Sequence, residues 1–502
     1  MVDNSNLHAE KNRYRSSFGA TILFSSVQFY QILIRVVKSK FVALFIGPMG
    51  MGIQSLLHTT TDLISATTNL GLRTSGVRTI AEANVDNEQD KIARTIIVLR
   101  RLILITGIVG MLVCAFFAPI WSRTSFGNNE YVWAFVIISV IILLDQLNNG
   151  ELALLQGMQY KRDLAKANVI GQSLSLLITI PLFYLYGIRA IVWVFVISSL
   201  LTYCTSRYYT FSLKIPKLKV SWKETINIGT SMIKLGAFLS LQFLMSQIVV
   251  YVVRNYVSFY GGIEEVGLYS AGTNIVTTYL GLVFTAIGTD YFPRLAATKS
   301  NEELAKTTHV QAEISMLLFA PLIVLFFTYS QPIIKILYSD KFLPIEYMMY
   351  WSVGATLFQA LGWALSYTLL AKAKPVYFFL NELCAACYST PLKIIGYYYG
   401  GLTGFGIATL ITYTLYLIQV LFVVKRLFKI SYSPFIWKLF VFLNIIVIAA
   451  ISVKLCFSEI WGYVLGSILL IITSIAIYRQ MDKRMDLSVY IRNKLKKNSA
   501  GA

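Results

Sequence analysis

The sequence predicts an all-α polytopic membrane protein. It has about fourteen transmembrane helices, in two six-helix lobes followed by two C-terminal helices. Three observations predict this. The 502-residue chain is 56% hydrophobic and only 14% charged, too apolar for a soluble protein of that size. Its apolar stretches recur at the roughly 20-residue length that crosses a bilayer. Its basic residues gather in alternate loops, as they do when loops alternate between the cytoplasm and the outer side.

In chain order, spans are expected at 17–46, 52–77, 96–120, 131–156, 168–186, 189–211, 226–253, 266–291, 309–330, 345–370, 375–397, 402–424, 435–457 and 460–478. The leading residues MVDNSNLHAEKNRYRS (1–16) are polar and basic. The apolar run behind them is too long for a signal-peptide core and lacks a small-residue cleavage site, so no removed leader is expected. Basic residues mark one side: Lys11, Arg13 and Arg15, then the loops at 73–101 and 161–166. The marking continues at 207–223, 294–306, Lys372 and Lys374, 425–438 and the tail 479–497. That side holds 33 of the 44 lysines and arginines, and the opposite side holds 7. Basic loops are cytoplasmic, so both termini are expected there, with an even number of spans between them.

A repeat divides the chain. Gly52 opens one helix after "FIGPMGMG", and Gly267 opens another after "FYGGIEEVG". The offset of about 215 residues spans six helices, so both copies point the same way. The expected organisation is a cytoplasmic N-terminal segment (1–16), an N-lobe (17–211), a basic linker (212–225) and a C-lobe (226–424). Two added helices (425–480) and a basic tail (481–502) follow.

Polar residues form stripes at helical spacing. The first span aligns Thr21, Gln28, Gln31, Arg35 and Lys38. The second aligns His58, Asp62, Ser65, Asn69 and Arg73. The fourth carries Asp145, Asn148, Asn149, Gln156 and Gln159, and the eighth Ser270, Asn274, Thr278, Gly281 and Thr285. The tenth carries Ser352, Thr356, Gln359, Trp363 and Ser366. Single hydroxyls and amides commonly join neighbouring helices. Charged stripes on several helices point instead to a water-filled interior.

The cations sharpen that expectation. A positive side chain in hydrocarbon costs about 2.5–3.5 kcal/mol on insertion scales. Arg35 and Lys38 sit roughly 6 and 10 Å past the middle of a long first helix, and are expected to face the cavity. Lys40 lies nearer the outer interface and is expected to snorkel as an anchor. Lys234 stands about two turns into its helix, where lining the cavity and snorkelling are both open. A cationic chamber implies an anionic cargo, since Arg binds phosphate bidentately and Lys as a point charge. Asp62, Asp145 and Glu382 are intramembrane carboxylates suited either to ion coupling or to neutralising nearby cations.

Several chemistries are excluded or disfavoured. The net charge of +20 follows loop topology and does not point to nucleic acid. No phosphate-binding G-x-x-x-x-G-K-[ST] loop is present, nor an H-E-x-x-H or Cys/His metal cluster, so no cofactor or metal is expected. Cys114, Cys204, Cys384, Cys387 and Cys456 all lie in apolar stretches and imply no disulfide framework. The outer loops are short, which argues against a glycosyltransferase or polymerase.

Short motifs run through the chain in order: "FIGPMGMG" (45–52), "NLGLRTSGVRTIAE" (69–82), "EEVGLYSAG" (264–272), "YFPRLA" (291–296), "YSDKF" (338–342) and "LLAKAKPVYFFLNE" (369–382). In these the sequence resembles the Wzx-type O-antigen and polysaccharide flippases of the MOP superfamily (multidrug, oligosaccharidyl-lipid and polysaccharide exporters). The resemblance implies a MATE-like pair of lobes with alternating access in the bacterial inner membrane. It also implies an undecaprenyl-diphosphate-linked glycan as cargo, surrounded by membrane lipids, with polysaccharide polymerase or assembly proteins as partners. On this reading Arg35 and Lys38 bind the diphosphate, with Arg73 near the cytoplasmic mouth and Lys234 as further candidates. Gln28, Gln31, His58, Asn69, Asn274 and Gln359 line the cavity. The chain is then a transporter and not an enzyme. A lipid II flippase and a MATE-type multidrug exporter remain open as alternatives.

Overall fold

The computed structural model describes the backbone of residues 4–485 apart from 86–87, 214–215, 217 and 373. It describes side chains from residue 27 to 482, with 29, 85, 238–239 and 289 also left aside. The side chains of Lys11, Arg13, Arg15 and Thr21, the linker lysines Lys214 and Lys217, and the tail beyond 485 lie outside the described residues. Among the described residues the chain is helical throughout, with no strand.

Nine segments are long and apolar enough to cross a membrane among the described residues. Three of them, Lys161–Phe211, Ser240–Ala297 and Pro375–Phe428, are long enough to cross twice. Lys161–Phe211 and Pro375–Phe428 each hold two expected spans, and Ser240–Ala297 holds the span 266–291 with the second half of 226–253. The helix Asn4–Thr68, bent at Gly47, supplies the two legs at its start. The fourteen expected spans are thereby accounted for, and the protein is an all-helical membrane protein.

The bends show why glycine stands where it does. Gly47 (φ 63°, ψ −169°) breaks the first helix and Gly262 (φ 81°, ψ 176°) breaks the helix Trp222–Asn274. They are 215 residues apart and adopt nearly one conformation, a region open to residues without Cβ. The same offset relates two close approaches. A Cβ on Gly52 would strike the carbonyl of Ile263, and one on Gly267 would strike that of Pro48. Later in each copy Gly187 (φ 53°, ψ −134°) and Gly401 (φ 53°, ψ −140°) make matching turns. The repeat is thus carried by backbone geometry more than by letters.

The chain forms two compact units, residues 1–267 with 337–339, and residues 268–336 with 340–502. By its contacts the seventh span falls in the first unit, whereas the lobe reading draws its boundary at 212–225. The inner end of that helix explains the grouping: Met232 joins a core with Leu72, Ile80, Ile96, Leu99 and Leu154. The second unit is built on Phe319, Phe327, Val353, Leu361, Val420 and Leu443.

Three spans differ from expectation. The expected 52–77 span ends at Thr68, and a new helix, Leu72–Val85, follows. Between them Leu70 (φ 49°) and Gly71 (φ 64°) are left-handed, and a Cβ on Gly71 would strike the backbone of Gly236. The expected 96–120 span stops at Phe116. Pro119 lies in the first turn of a separate short helix, Ala118–Phe126, a position where its missing N–H costs nothing. The expected 266–291 span contains a π-helical turn, Ile275–Leu280. That turn shifts the stripe from Asn274 onward out of simple α register.

Candidate functional site

In the first unit, Gln28, Gln31, Arg35 and Lys38 share one side of the first helix. Gln28 and Arg35 are exposed, while Gln31 and Lys38 are half-buried. The opposite side is the packed one. Ile34 and Val42 are buried, and Tyr30 is hydrogen-bonded to Ser173 at 2.8 Å. Neither Arg35 nor Lys38 forms an ion pair among the described residues. Lys40 is more than the anchor the sequence suggests: its Nζ donates to the Tyr338 carbonyl at 2.6 Å.

The second leg brings the titratable groups together. His58 and Asp62, one turn apart, are hydrogen-bonded at 2.7 Å. The ring of His58 meets Phe195 edge-on at 5.8 Å. Asp145 lies beside the Ser199 hydroxyl, and Asp145 and Arg254 both lie within electrostatic reach of His58. Four helices therefore contribute to one polar cluster. Arg254, which the sequence places in an outer loop, is helical and donates to Thr59 and to the Ser55 carbonyl.

Asn69 and Arg73 leave that stripe because of the break at Leu70–Gly71. The Asn69 side-chain oxygen accepts from Gly71 N–H at 2.8 Å and builds the turn. Arg73, on the next helix, donates to Asn149 at 2.8 Å. Lys234 is exposed on the helix Trp222–Asn274.

Sequence reasoning missed Glu151. Its side chain is 6% exposed and receives Arg100 at 2.7 Å and Arg207 at 3.0 Å. Both arginines read as topology markers from sequence, because their partner lies in a different span. The only available signal was a carboxylate six residues beyond Asp145, off the polar stripe.

In the second unit, Glu382 accepts from the Tyr416 hydroxyl at 2.7 Å and, at longer range, from Asn381 and Ser366. Gln419 donates to Asn381 at 2.8 Å and completes the ring. The tenth-span stripe is mostly packed: Ser352, Thr356 and Ser366 are buried and Gln359 is half-buried. That stripe is interior packing in large part, which a polar periodicity cannot distinguish from a wet wall. Asn274 is half-buried just before the π turn. Among the described residues no group of three His, Cys, Asp or Glu side chains is placed to hold a metal.

The geometry has counterparts among known proteins. The model of a family described as polysaccharide biosynthesis protein matches residues 41–346. A Shigella flexneri protein assigned provisionally as an O-antigen transporter is 23% identical over 320 residues, 62% of this chain and 74% of its own length. Among solved structures, the lipid II flippase MurJ in an inward closed conformation matches with a TM-score of 0.71 and 15% identity. The match covers 92% of this chain and 99% of that one. The inward-facing conformation of a MATE-family multidrug resistance transporter of the MOP superfamily matches with a TM-score of 0.68 and 15% identity, over 81% and 98% of the two chains. These structural likenesses establish the fold.

Proposed function

Because the chain belongs to the polysaccharide biosynthesis protein family, we propose that it is a flippase for undecaprenyl-diphosphate-linked oligosaccharide repeat units. It carries them from the cytoplasmic to the periplasmic leaflet of the bacterial inner membrane, with both termini in the cytoplasm. The observation that carries this reading is Arg35 with Lys38: two cations on the unpacked side of a membrane helix, with no acidic partner among the described residues. An unpaired cation at membrane depth is functional by default, and a diphosphate is the anion that the family's cargo would bring.

On this reading the diphosphate meets Arg35 and Lys38 while the polyprenyl tail stays in lipid. Gln28 and Gln31 extend the same polar side for the sugar. Arg73, held by Asn149, and Lys234 are secondary contacts. The protein replaces hydration that lipid refuses to a polar headgroup. With a cytoplasm-negative potential, moving about two negative charges outward is favoured by roughly 4.6 kcal/mol per 100 mV. The His58–Asp62 pair with Asp145, and Glu382 within its hydroxyl ring, are the places where a proton or cation could exchange against cargo. Lipid II carries the same diphosphate, but at 15% identity the likeness to its flippase is one of fold, while the family match favours polysaccharide precursors. A MATE-type exporter of cationic drugs would be served poorly by unpaired positive charge.

Replacing Arg35 and Lys38 together with Ala is expected to abolish surface-glycan assembly in cells while leaving the protein's membrane abundance unchanged. Flipping of a defined lipid-linked glycan in proteoliposomes should fall in parallel. Undiminished flipping by the double variant rejects the role assigned to these cations.

A further inference from the structure

The last two helices, Pro434–Cys456 and Glu459–Met485, both pack against the helix Asn301–Thr328 of the second unit. Two troughs of similar size, about 320 and 380 Å³, run along the outside of Pro434–Cys456. Phe435, Leu439, Leu443 and Ile446 line the first, together with Leu317 and Ile477 from the two neighbouring helices. Trp437, Val441 and Ile445 line the second. These are two stripes at helical spacing. Lys438 and Phe442, one turn apart, stand between the stripes and border both troughs.

Lys438 stands one turn into its helix, at the end that the basic loops mark. It is exposed and forms no ion pair among the described residues. Beside it the Trp437 ring meets those of Tyr432 and Phe440 at 6.2 and 5.9 Å. An indole so placed is characteristic of the membrane–water interface. The buried Glu313 is met by the Gln480 amide at 3.4 Å. From Lys438 to Ile446 the helix rises about 12 Å, most of the roughly 15 Å of hydrocarbon in one leaflet. A cation thus stands at headgroup depth, with two apolar troughs running from it toward the middle of the bilayer. Lys425, Arg426 and Lys429 are exposed just before this helix, and Arg479 is exposed near the inner end of the next.

One phosphate carrying two acyl chains has this outline. We propose that Lys438 and the two troughs form a site for one anionic diacyl phospholipid from the leaflet on the basic side. The phosphate rests on Lys438, and one chain lies on either side of Phe442. A single polyprenyl chain would fill one trough and leave the other bare. The surrounding exposed cations attract a headgroup with net negative charge over a zwitterionic one. The first trough is also the seam where the three helices meet, so a chain lying in it fastens the last two helices to the rest of the unit by apolar contact. Neither Arg35 nor Lys38 belongs to the site, which stands whatever cargo the chain carries.

The test places the full-length protein in phosphatidylcholine nanodiscs with a small share of phosphatidylglycerol bearing a photoreactive diazirine in each acyl chain. Peptide mass spectrometry is expected to find adducts on both stripes of Pro434–Cys456. Excess unlabelled phosphatidylglycerol should suppress them, and phosphatidylethanolamine should not. Lys438→Gln is expected to cut these adducts about fivefold relative to labelling elsewhere on the protein, and Lys438→Arg to retain them. Undiminished adducts in Lys438→Gln overturn the site, as does equal suppression by phosphatidylethanolamine. Suppression by undecaprenyl diphosphate or by single-chain lysophosphatidylglycerol as strong as by the diacyl lipid overturns the two-chain occupant. No readout here involves glycan flipping, so failure of the cargo assignment would leave these results untouched.

Discussion

Each unit holds a buried glutamate, Glu151 in the first and Glu346 in the second, and neutralises it in a different way. In the first, the buried Glu151 holds Arg100 and Arg207, and the part-exposed Asp62 and Glu224 meet His58 and Arg94. In the second, the buried acids meet hydroxyls and amides. Glu346 accepts from Ser330 at 2.5 Å, Tyr350 at 2.5 Å and Gln331 at 3.1 Å. Glu382 is ringed by Tyr416, Ser366 and Asn381. A charge pair leaves a stranded ion when one member is lost, whereas a hydroxyl ring loses one bond among several. The first unit is therefore the more brittle to single substitutions.

The largest expected effect comes from breaking the first unit's triad. Glu151→Gln strands two arginines and should cost about 2–3 kcal/mol. That is less than a fully buried pair would cost, since both arginines keep roughly a third of their surface in contact with solvent. A thermal-stability scan in detergent measures it. Adding Arg207→Gln to that variant should recover part of the loss, because it removes one stranded charge. A double variant less stable than the single would break the comparison.

The second unit should respond more gently. Tyr350→Phe removes one donor from Glu346 and leaves Ser330 and Gln331, for a cost of about 1–2 kcal/mol in the same scan. A loss as large as that of Glu151→Gln would show that the hydroxyl ring tolerates damage no better than the ion pairs do. At the bottom of the scale stands the exposed pair Lys335–Asp340, 2.9 Å apart. Lys335→Ala should leave the thermal midpoint unchanged within error at low and high salt, as solvated pairs contribute little.

Much of the fold was legible in the sequence. Apolar length and alternating basic loops locate the fourteen spans, because each span must satisfy a bilayer locally. The pairing of His58 with Asp62 was legible for a similar reason, since residues four apart share a helix face. Glu382 also stood out, because a carboxylate in an apolar run is expensive. Its donor Tyr416 did not, being 34 residues away on another helix. Nor did Glu151, whose partners lie 51 and 56 residues distant. The stripe running from His58 to Arg73 shows the limit most plainly. Its period is unbroken in the letters, yet the chain turns at Leu70–Gly71, where the backbone of Gly236 packs against Gly71.

The sequence by itself determined where the membrane is crossed, which end is basic and which spans carry charge. These follow from the cost of placing each segment in lipid, a cost paid locally. Only the tertiary structure decided which acids meet arginines and which meet tyrosines, where the polar stripes are interrupted, and that the seventh span is fastened to the first unit. Those outcomes depend on contacts between residues far apart in the chain, where helix periodicity carries no information.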